Sequence, residues 1–349
     1  MMHVIDGSEG ALDSGRHPEA ARLLVGQQAG ESLHVCAPCD EWFGRGTGEQ
    51  PARRLLSLPG IITWGRSVRR SDTDCVHAWS RKTAEWALRA ESGVARELSL
   101  LESPSRVNRR TRRVGRRLSR FGRIRVLDAA DAEAWKAAGA PEDGLHVEPP
   151  DPMRVRESIL KWSERIGLPS DRASLRDLLR AEDDEFLVFP LASPWSGFDA
   201  RRFVFLLGML RINGTPATAI VPASGWRLVG ARVFREQSRL GTRVCVIEGP
   251  MTPWLPAADA AFLDAERPRE TLLSYRPRGA LRVLIAAAQT AGVPVAIAPG
   301  SLLEADPRRA PSVADELRPL LMIAEQWNGR RTDRVQAPVA IRGCVHCGA

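Results

Sequence analysis

Four cysteines stand in two C-x-x-C pairs, Cys36/Cys39 in HVCAPCD and Cys344/Cys347 in GCVHCGA. A tight C-x-x-C turn offers two thiolates to one ion, and two such pairs brought together make a tetrahedral zinc site. Two readings stand. One is a structural zinc staple between the two ends of the chain. The other is a cysteine on a buried strand and an unrelated tail. Cys75 and Cys245 lie in apolar runs and read as core residues. Arg201 and Arg202 open an apolar helical pattern, and by themselves they read as a pair of solvated helix arginines. From Arg106 to Arg125 there are ten arginines, with Val107, Val114, Leu118 and Phe121 as a thin apolar stripe. This basic amphipathic helix suits a solvated face or contact with an anionic membrane surface. Phe121 is its one aromatic, so it lacks the stacking platform of a single-strand binder, and nucleic acid ranks last.

The elements that must position these residues alternate. Apolar runs at His3–Asp6, Ser32–Ala37, Gly60–Trp64, Asp74–Ala78 and Ile124–Leu127 read as strands, and the patterns at Pro18–Ala29, Arg81–Ala90 and Asp131–Ala138 as helices. HVEPPD, His146–Asp151, closes a first unit, and the charged pattern Arg154–Arg180 reads as a helical connector. Strand and helix then alternate again: Phe186–Leu191, Ala200–Ile212, Ala217–Val221, Trp226–Leu240, Val244–Glu248, Ala260–Asp264, a helix ending at Gly292, the run Val293–Ala298, and a last helix Val313–Asn328. Such alternation argues for parallel sheets with helices on both faces. The reading divides 349 residues into an N-terminal domain 1–152, a connector 153–184, a C-terminal domain 185–330 and a tail 331–349.

Composition narrows the class. With 44% hydrophobic and 26% charged residues the chain buries sizeable cores. No apolar run approaches the roughly 18–20 residues that span a bilayer. MMHVIDGSEG has no basic segment followed by an apolar core, so the reading expects no secretory signal and a cytoplasmic location; for Arg106–Arg125 peripheral contact at the inner membrane face stands as an alternative that ranks below a solvated face. The net charge of +8 rests almost wholly on arginine, since Lys82, Lys136 and Lys161 are the only lysines, and it favours anionic partners.

Set in order, several segments resemble the family 4 glycosyltransferases of the GT-B fold. GALRVLIAAAQTAGVPVAIAP, Gly279–Pro299, resembles their donor-site helix and strand, "E, seven residues, E-A-x-A-x-G-x-P-V". DCVHAWSRKTAEWAL resembles "D-x-V-H-x-H-S…T", and RIRVLDAADAEAWKAAGAPEDGLHVEPPDPMRVRESI resembles the segment that closes their N-terminal domain. CVIEGPMTPWLPAADAAFLDAERP, GFDARRFVFLLGMLR and APSVADELRPLL match C-terminal segments. The resemblance implies two Rossmann-like, doubly wound domains facing across a cleft, with a nucleotide-sugar on the C-terminal domain and a glycan or lipid-linked acceptor on the other. It implies diphosphate contacts at Arg201 and Arg202, and base or ribose contacts at Glu248 and Gly249. It implies a cleft loop at Gly7 and Gly10, acceptor or sugar contact at His77, a structural role for Asp259, and no required cofactor.

The chain departs from that pattern at the chemistry. Gly279 and Ala287 stand where the family has its two glutamates, and Trp79 replaces the second histidine of H-x-H. Two functions remain open. One is transfer of a sugar from a nucleotide-sugar to an acceptor. The other is a non-catalytic homologue that binds a nucleotide, glycan or protein. A different Rossmann enzyme ranks below both, because no G-x-G-x-x-G follows a strand. The side chains around Gly279 and Ala287 decide between the first two.

Overall fold

Short apolar runs between helical patterns fold into two parallel sheets. The computed structural model describes residues 2–6, 16–25, 32–36, 62–65, 75–88, 94–191, 200–222, 243–247, 250–265, 275–303 and 311–336. The N-terminal strands are β1 (Met2–Asp6), β2 (Ser32–Cys36), β3 (Ile62–Gly65), β4 (Cys75–Ala78), β5 (Ala95–Leu100), β6 (Ser103–Pro104), β7 (Arg123–Val126) and β8 (Leu145–Val147). The helices among them are α1 (Arg16–Val25), α2 (Arg81–Ala87), α3 (Arg109–Arg117) and α4 (Ala129–Ala137). All but β6 join one sheet in the order β3-β2-β1-β4-β5-β7-β8, every pairing parallel.

The five strands expected here are present. β5, β6 and β8 are additions, and β5 lies inside the sheet between β4 and β7. ARELSL is hard to read as a central strand because one of its faces is polar. Leu98 and Leu100 join the core with Val4, Val76, Ile124 and Val126. On the other face the register sets His3 beside His77, His77 beside Glu97 and Glu97 beside Arg123.

The expected single connector is two helices, α5 (Pro152–Arg165) and α6 (Arg172–Leu178). Each begins on an aspartate that caps it, Asp151 to Met153 N and Asp171 to Ser174 N. Beyond them come β9 (Phe186–Pro190), α7 (Ala200–Ile212), β10 (Ala217–Pro222), β11 (Arg243–Ile247), β12 (Ala260–Leu263), β13 (Tyr275–Arg276), α8 (Arg278–Thr290), β14 (Val295–Ile297) and α9 (Val313–Gln336). The second sheet is β11-β10-β9-β12-β14, again all parallel. The expected helix at Trp226–Leu240 falls outside the described residues. Among the described residues no helix is long and apolar enough to cross a membrane.

Three buried clusters make the core. One lies under the first sheet and one joins α7 and α9 to the second. The third runs between the two halves. It holds Ala20, Ala21 and Leu23 of α1, Trp79, Leu101 and Leu127 from the first sheet's side, Val155, Ile159 and Trp162 of α5, and Leu281, Leu284, Ala287 and Ala288 of α8. Helix α8 is therefore buried almost all round, where the periodicity implied a single apolar stripe. Gly292 ends it with φ 71°, the left-handed cap the Ala-Gly step predicts.

Asp259 ties the connector to the second sheet. Its carboxylate accepts from Leu187 N at 2.8 Å and Arg176 Nη1 at 3.0 Å, and it pairs with Arg172. Arg176 is itself buried and also donates to the carbonyls of Glu182 and Glu185. Removing the carboxylate leaves that guanidinium buried without its counter-charge. Asp259→Ala should therefore cost about 3–5 kcal/mol, read from urea unfolding; a change within error of zero would contradict the assignment.

Candidate functional site

In open doubly wound sheets ligands bind beyond the carboxyl ends of the strands. Here the chain leaving β5 and β7 meets the segment that leads into α8. Ser103 and Pro104 of β6 pair antiparallel with Arg276 and Tyr275 of β13, a two-residue ladder between the halves. Leu101 O then accepts from Ala280 N at 2.9 Å, so a carbonyl of the N-terminal half satisfies one of the open N–H groups of α8. Gly279 makes this approach possible. A Cβ there would lie 2.9 Å from Leu101 Cα and 3.0 Å from its C and O, all backbone atoms that cannot swing aside.

The position of the family's first glutamate is thus closed by main chain. Ala287, at the second, is fully buried in the apolar cluster that α8 shares with α1 and α5.

Charge gathers instead beside the start of α8. Asp128 caps α4 through Ala130 N at 2.6 Å and pairs with Arg282 at 2.5 Å. Asp131, in the first turn of α4, is 1% exposed. Burial raises its carboxyl above the usual range, while Ser103 and the positive charge of Arg278 pull the other way. Ser103 is near enough to favour the charged form, yet neither side chain completes a hydrogen bond of good geometry. Burial also lowers Arg278, which donates to the carbonyl of Leu303 at 2.8 Å. The Arg81 guanidinium lies 4.4 Å from the centre of the Tyr275 ring, and Trp135 stacks against the same ring.

The residues singled out from sequence do not gather here. His77 sits within the first sheet, 1% exposed. Its Nε2 is hydrogen-bonded to Ser99 Oγ at 2.9 Å, its Nδ1 lies 3.6 Å from Glu97 Oε2, and its ring stacks on Trp79 at 4.3 Å. Trp79, in place of the family's second histidine, donates from Nε1 to His3 Nδ1 at 3.0 Å. Arg202 is paired with Glu316, a fully buried carboxylate that also accepts from Ala265 N at 3.1 Å. Arg201 is exposed in the first turn of α7, which carries no acidic residue. Gly7, Gly10, Glu248, Gly249, Cys39, Cys344 and Cys347 lie outside the described residues, and Cys36 ends β2. Among the described residues no group of three His, Cys, Asp or Glu could hold a metal. In α3 and its flanks Arg106, Arg109, Arg110, Arg112, Arg113, Arg116, Arg117 and Arg120 are all exposed. Asn108 caps the helix in a full capping box.

Sequence reasoning passed over Leu101, Ser103, Asp128 and Asp131. Asp128 and Asp131 carried a signal, since Asp-x-x-Asp after a strand marks a helix start. Leu101 acts through its main chain and carried none.

No protein-family model matches this chain, and no curated protein matches it by sequence. Solved structures do match in shape. One is a putative UDP-N-acetylglucosamine 2-epimerase from Listeria monocytogenes, 11% identical over 94% of this chain and 88% of that one, with a TM-score of 0.54. Another is Staphylococcus aureus MnaA solved with UDP, 9% identical over 94% and 87%, with a TM-score of 0.50. Anabaena HepE in complex with UDP-glucose is 14% identical over 95% and 99%, a looser likeness at 0.47. The architecture is the glycosyltransferase-like GT-B one, two Rossmann-like domains with parallel sheets.

Burial, then the charges of His3, Arg125 and Arg123, hold His77 well below its ordinary 6.5. The unfolded chain binds a proton near pH 6.5 that the folded chain refuses, so this group costs stability as the pH falls below that value. His77→Gln should lose less stability than the parent between pH 7.5 and 5.5. Equal losses in urea unfolding at the two pH values would contradict the assignment.

Proposed function

We propose that this chain binds a nucleotide-sugar on its C-terminal half and has lost the transfer chemistry of its glycosyltransferase-like fold. The observation that carries this reading is the contact of Gly279 with the Leu101 backbone. A glutamate at position 279 would collide with main chain, and position 287 is sealed among apolar side chains. Neither family carboxylate has a substitute on α8, whose remaining charged side chains are Arg278 and Arg282. Binding is supported by the GT-B architecture and by the solved likeness of S. aureus MnaA with UDP. It is also supported by Arg201 in a helix first turn without acids, where the helix dipole and the guanidinium both favour an anion.

A second reading, sugar transfer by an altered mechanism, is favoured by Asp131. A buried carboxyl with a raised pKa, beside Ser103 and the start of α8, has the character of a general acid or base. The two readings differ in turnover. Calorimetry with UDP-glucose, UDP-N-acetylglucosamine and the corresponding guanosine and adenosine diphosphate sugars should find a binder. Arg201→Ala should weaken it by about tenfold, the scale of one charge-assisted hydrogen bond. The same mixtures should release no nucleoside diphosphate. Steady release that stops in Asp131→Asn would replace the first reading by the second, and failure of every donor to bind would end both.

A further inference from the structure

Surface charge on this chain is ordinarily interleaved. Arg123 and Arg125 pair with Glu148, Arg154 with Asp151, Lys136 with Glu133 and Glu142, and Arg318 with Asp315. Helix α3 departs from that habit. It reads RRTRRVGRR, with no acidic residue. Among the described residues one ion pair reaches it, Arg117 with Glu85 at 3.9 Å, both half exposed. At 3.6 residues per turn, Arg109, Arg110, Arg112, Arg113, Arg116 and Arg117 fan over an outward arc of about 160°. Arg109 and Arg113, Arg112 and Arg116, and Arg113 and Arg117 are like charges four residues apart, which disfavour the helix. A face that meets only water gains nothing from that arrangement.

The fold holds this face in one orientation. Gly115 is pressed onto the end of α4, where a Cβ would lie 2.1 Å from Ala138 O and 2.7 Å from its C. Thr111 and Gly115 are buried, and Leu118 and Phe121 join the core under the first sheet. The thin apolar stripe is therefore turned inward, and Val107, 42% exposed, is its outward member. The arc itself is arginine throughout, with no aromatic ring on which an unpaired base could stack. A duplex backbone would use the guanidinium groups but not the valine beside them. A headgroup layer offers both phosphates for the arginines and an apolar interior beneath.

We propose that α3 docks on an anionic lipid surface, its outward arginines against phosphate headgroups and Val107 at the edge of the contact. The contact is electrostatic and superficial, since Leu118 and Phe121 are committed to the core. Helix α3 follows β6, so its first turn lies beside the ladder that joins the halves, and the charge of Arg110 reaches the Tyr275 hydroxyl. Docking thus brings the lipid surface next to that seam. It stands on α3 alone and does not depend on the nucleotide-sugar reading.

Co-sedimentation of the full chain with vesicles tests it, using phosphatidylcholine alone and phosphatidylcholine mixed with phosphatidylglycerol. The parent should bind the mixed vesicles and leave the neutral ones. Each arginine near such a surface contributes about a fivefold factor, so the triple variant Arg109→Glu, Arg113→Glu, Arg116→Glu should bind about a hundredfold more weakly or worse. Arg109→Gln, Arg113→Gln, Arg116→Gln carries the test if the reversal fails to fold. Raising the salt from about 0.1 M to 1 M shortens the screening length from about 10 Å to 3 Å and should release the parent. The control Arg154→Glu, Arg156→Glu, Arg318→Glu changes the net charge equally at exposed positions of α5 and α9, and should bind nearly as the parent does. Equal binding to the two vesicle types, or a loss in the control as large as in the α3 variant, would overturn the proposal. So would a DNA duplex that the parent prefers to the mixed vesicles at equal phosphate concentration and that the α3 variant no longer binds.

Discussion

The main chain of Leu101 passes within about 3 Å of the space a side chain at position 279 would need, and much of the molecule follows from that approach. Because residue 279 is glycine, α8 can receive the Leu101 carbonyl on Ala280 N and lie flat against the N-terminal half. Lying flat brings Leu281, Leu284, Ala287 and Ala288 into a core shared with α1 and α5. It also brings Arg282 to Asp128 and Arg278 into the field of Asp131. The same glycine that admits the close contact stands where the family 4 glycosyltransferases that the sequence resembles carry a glutamate.

Charge is handled in two ways across the molecule. On the polar face of the first sheet, Glu97, Arg125, Glu148 and Arg123 form a half-exposed ion-pair chain, and His77 stays neutral beneath it. Solvent screens such pairs, and they contribute little to stability. Between the halves, Glu19, Asp131 and Arg22 are nearly sealed from water, where each is costly unless fitted with partners. Buried charge also lies within the C-terminal half, where Glu316 meets Arg202 and Arg176 meets Asp259.

Much of the architecture was legible in the sequence, because parallel strands buried on both faces read as apolar runs and the helices between them carry caps. β9, α7 and β10 show this most plainly. β5 was not legible, since Glu97 and Ser99 face polar neighbours across the sheet and break the apolar signal. The connector read as one charged helix and is two, because Asp171 starts a new turn soon after α5 ends. At the site, the absence of carboxylates at 279 and 287 was plain from residue types, but its cause was not. The collision lies with a main-chain segment far away in sequence. Glu19 was likewise invisible, one glutamate in an ordinary helix pattern whose partners are backbone N–H groups of the other half.

The central claim is that the halves meet at the start of α8. Ser103 and Arg276 are register partners in the ladder that joins them. Facing residues of an antiparallel pair have Cα atoms about 4.5–5.5 Å apart, within reach of a disulfide. The direct measurement is oxidative cross-linking of the Ser103→Cys, Arg276→Cys double variant, mapped by peptide mass analysis. The account predicts near-complete formation of that bond in a folded monomer under mild oxidation. A double variant whose two thiols stay reduced while the chain remains folded would contradict it.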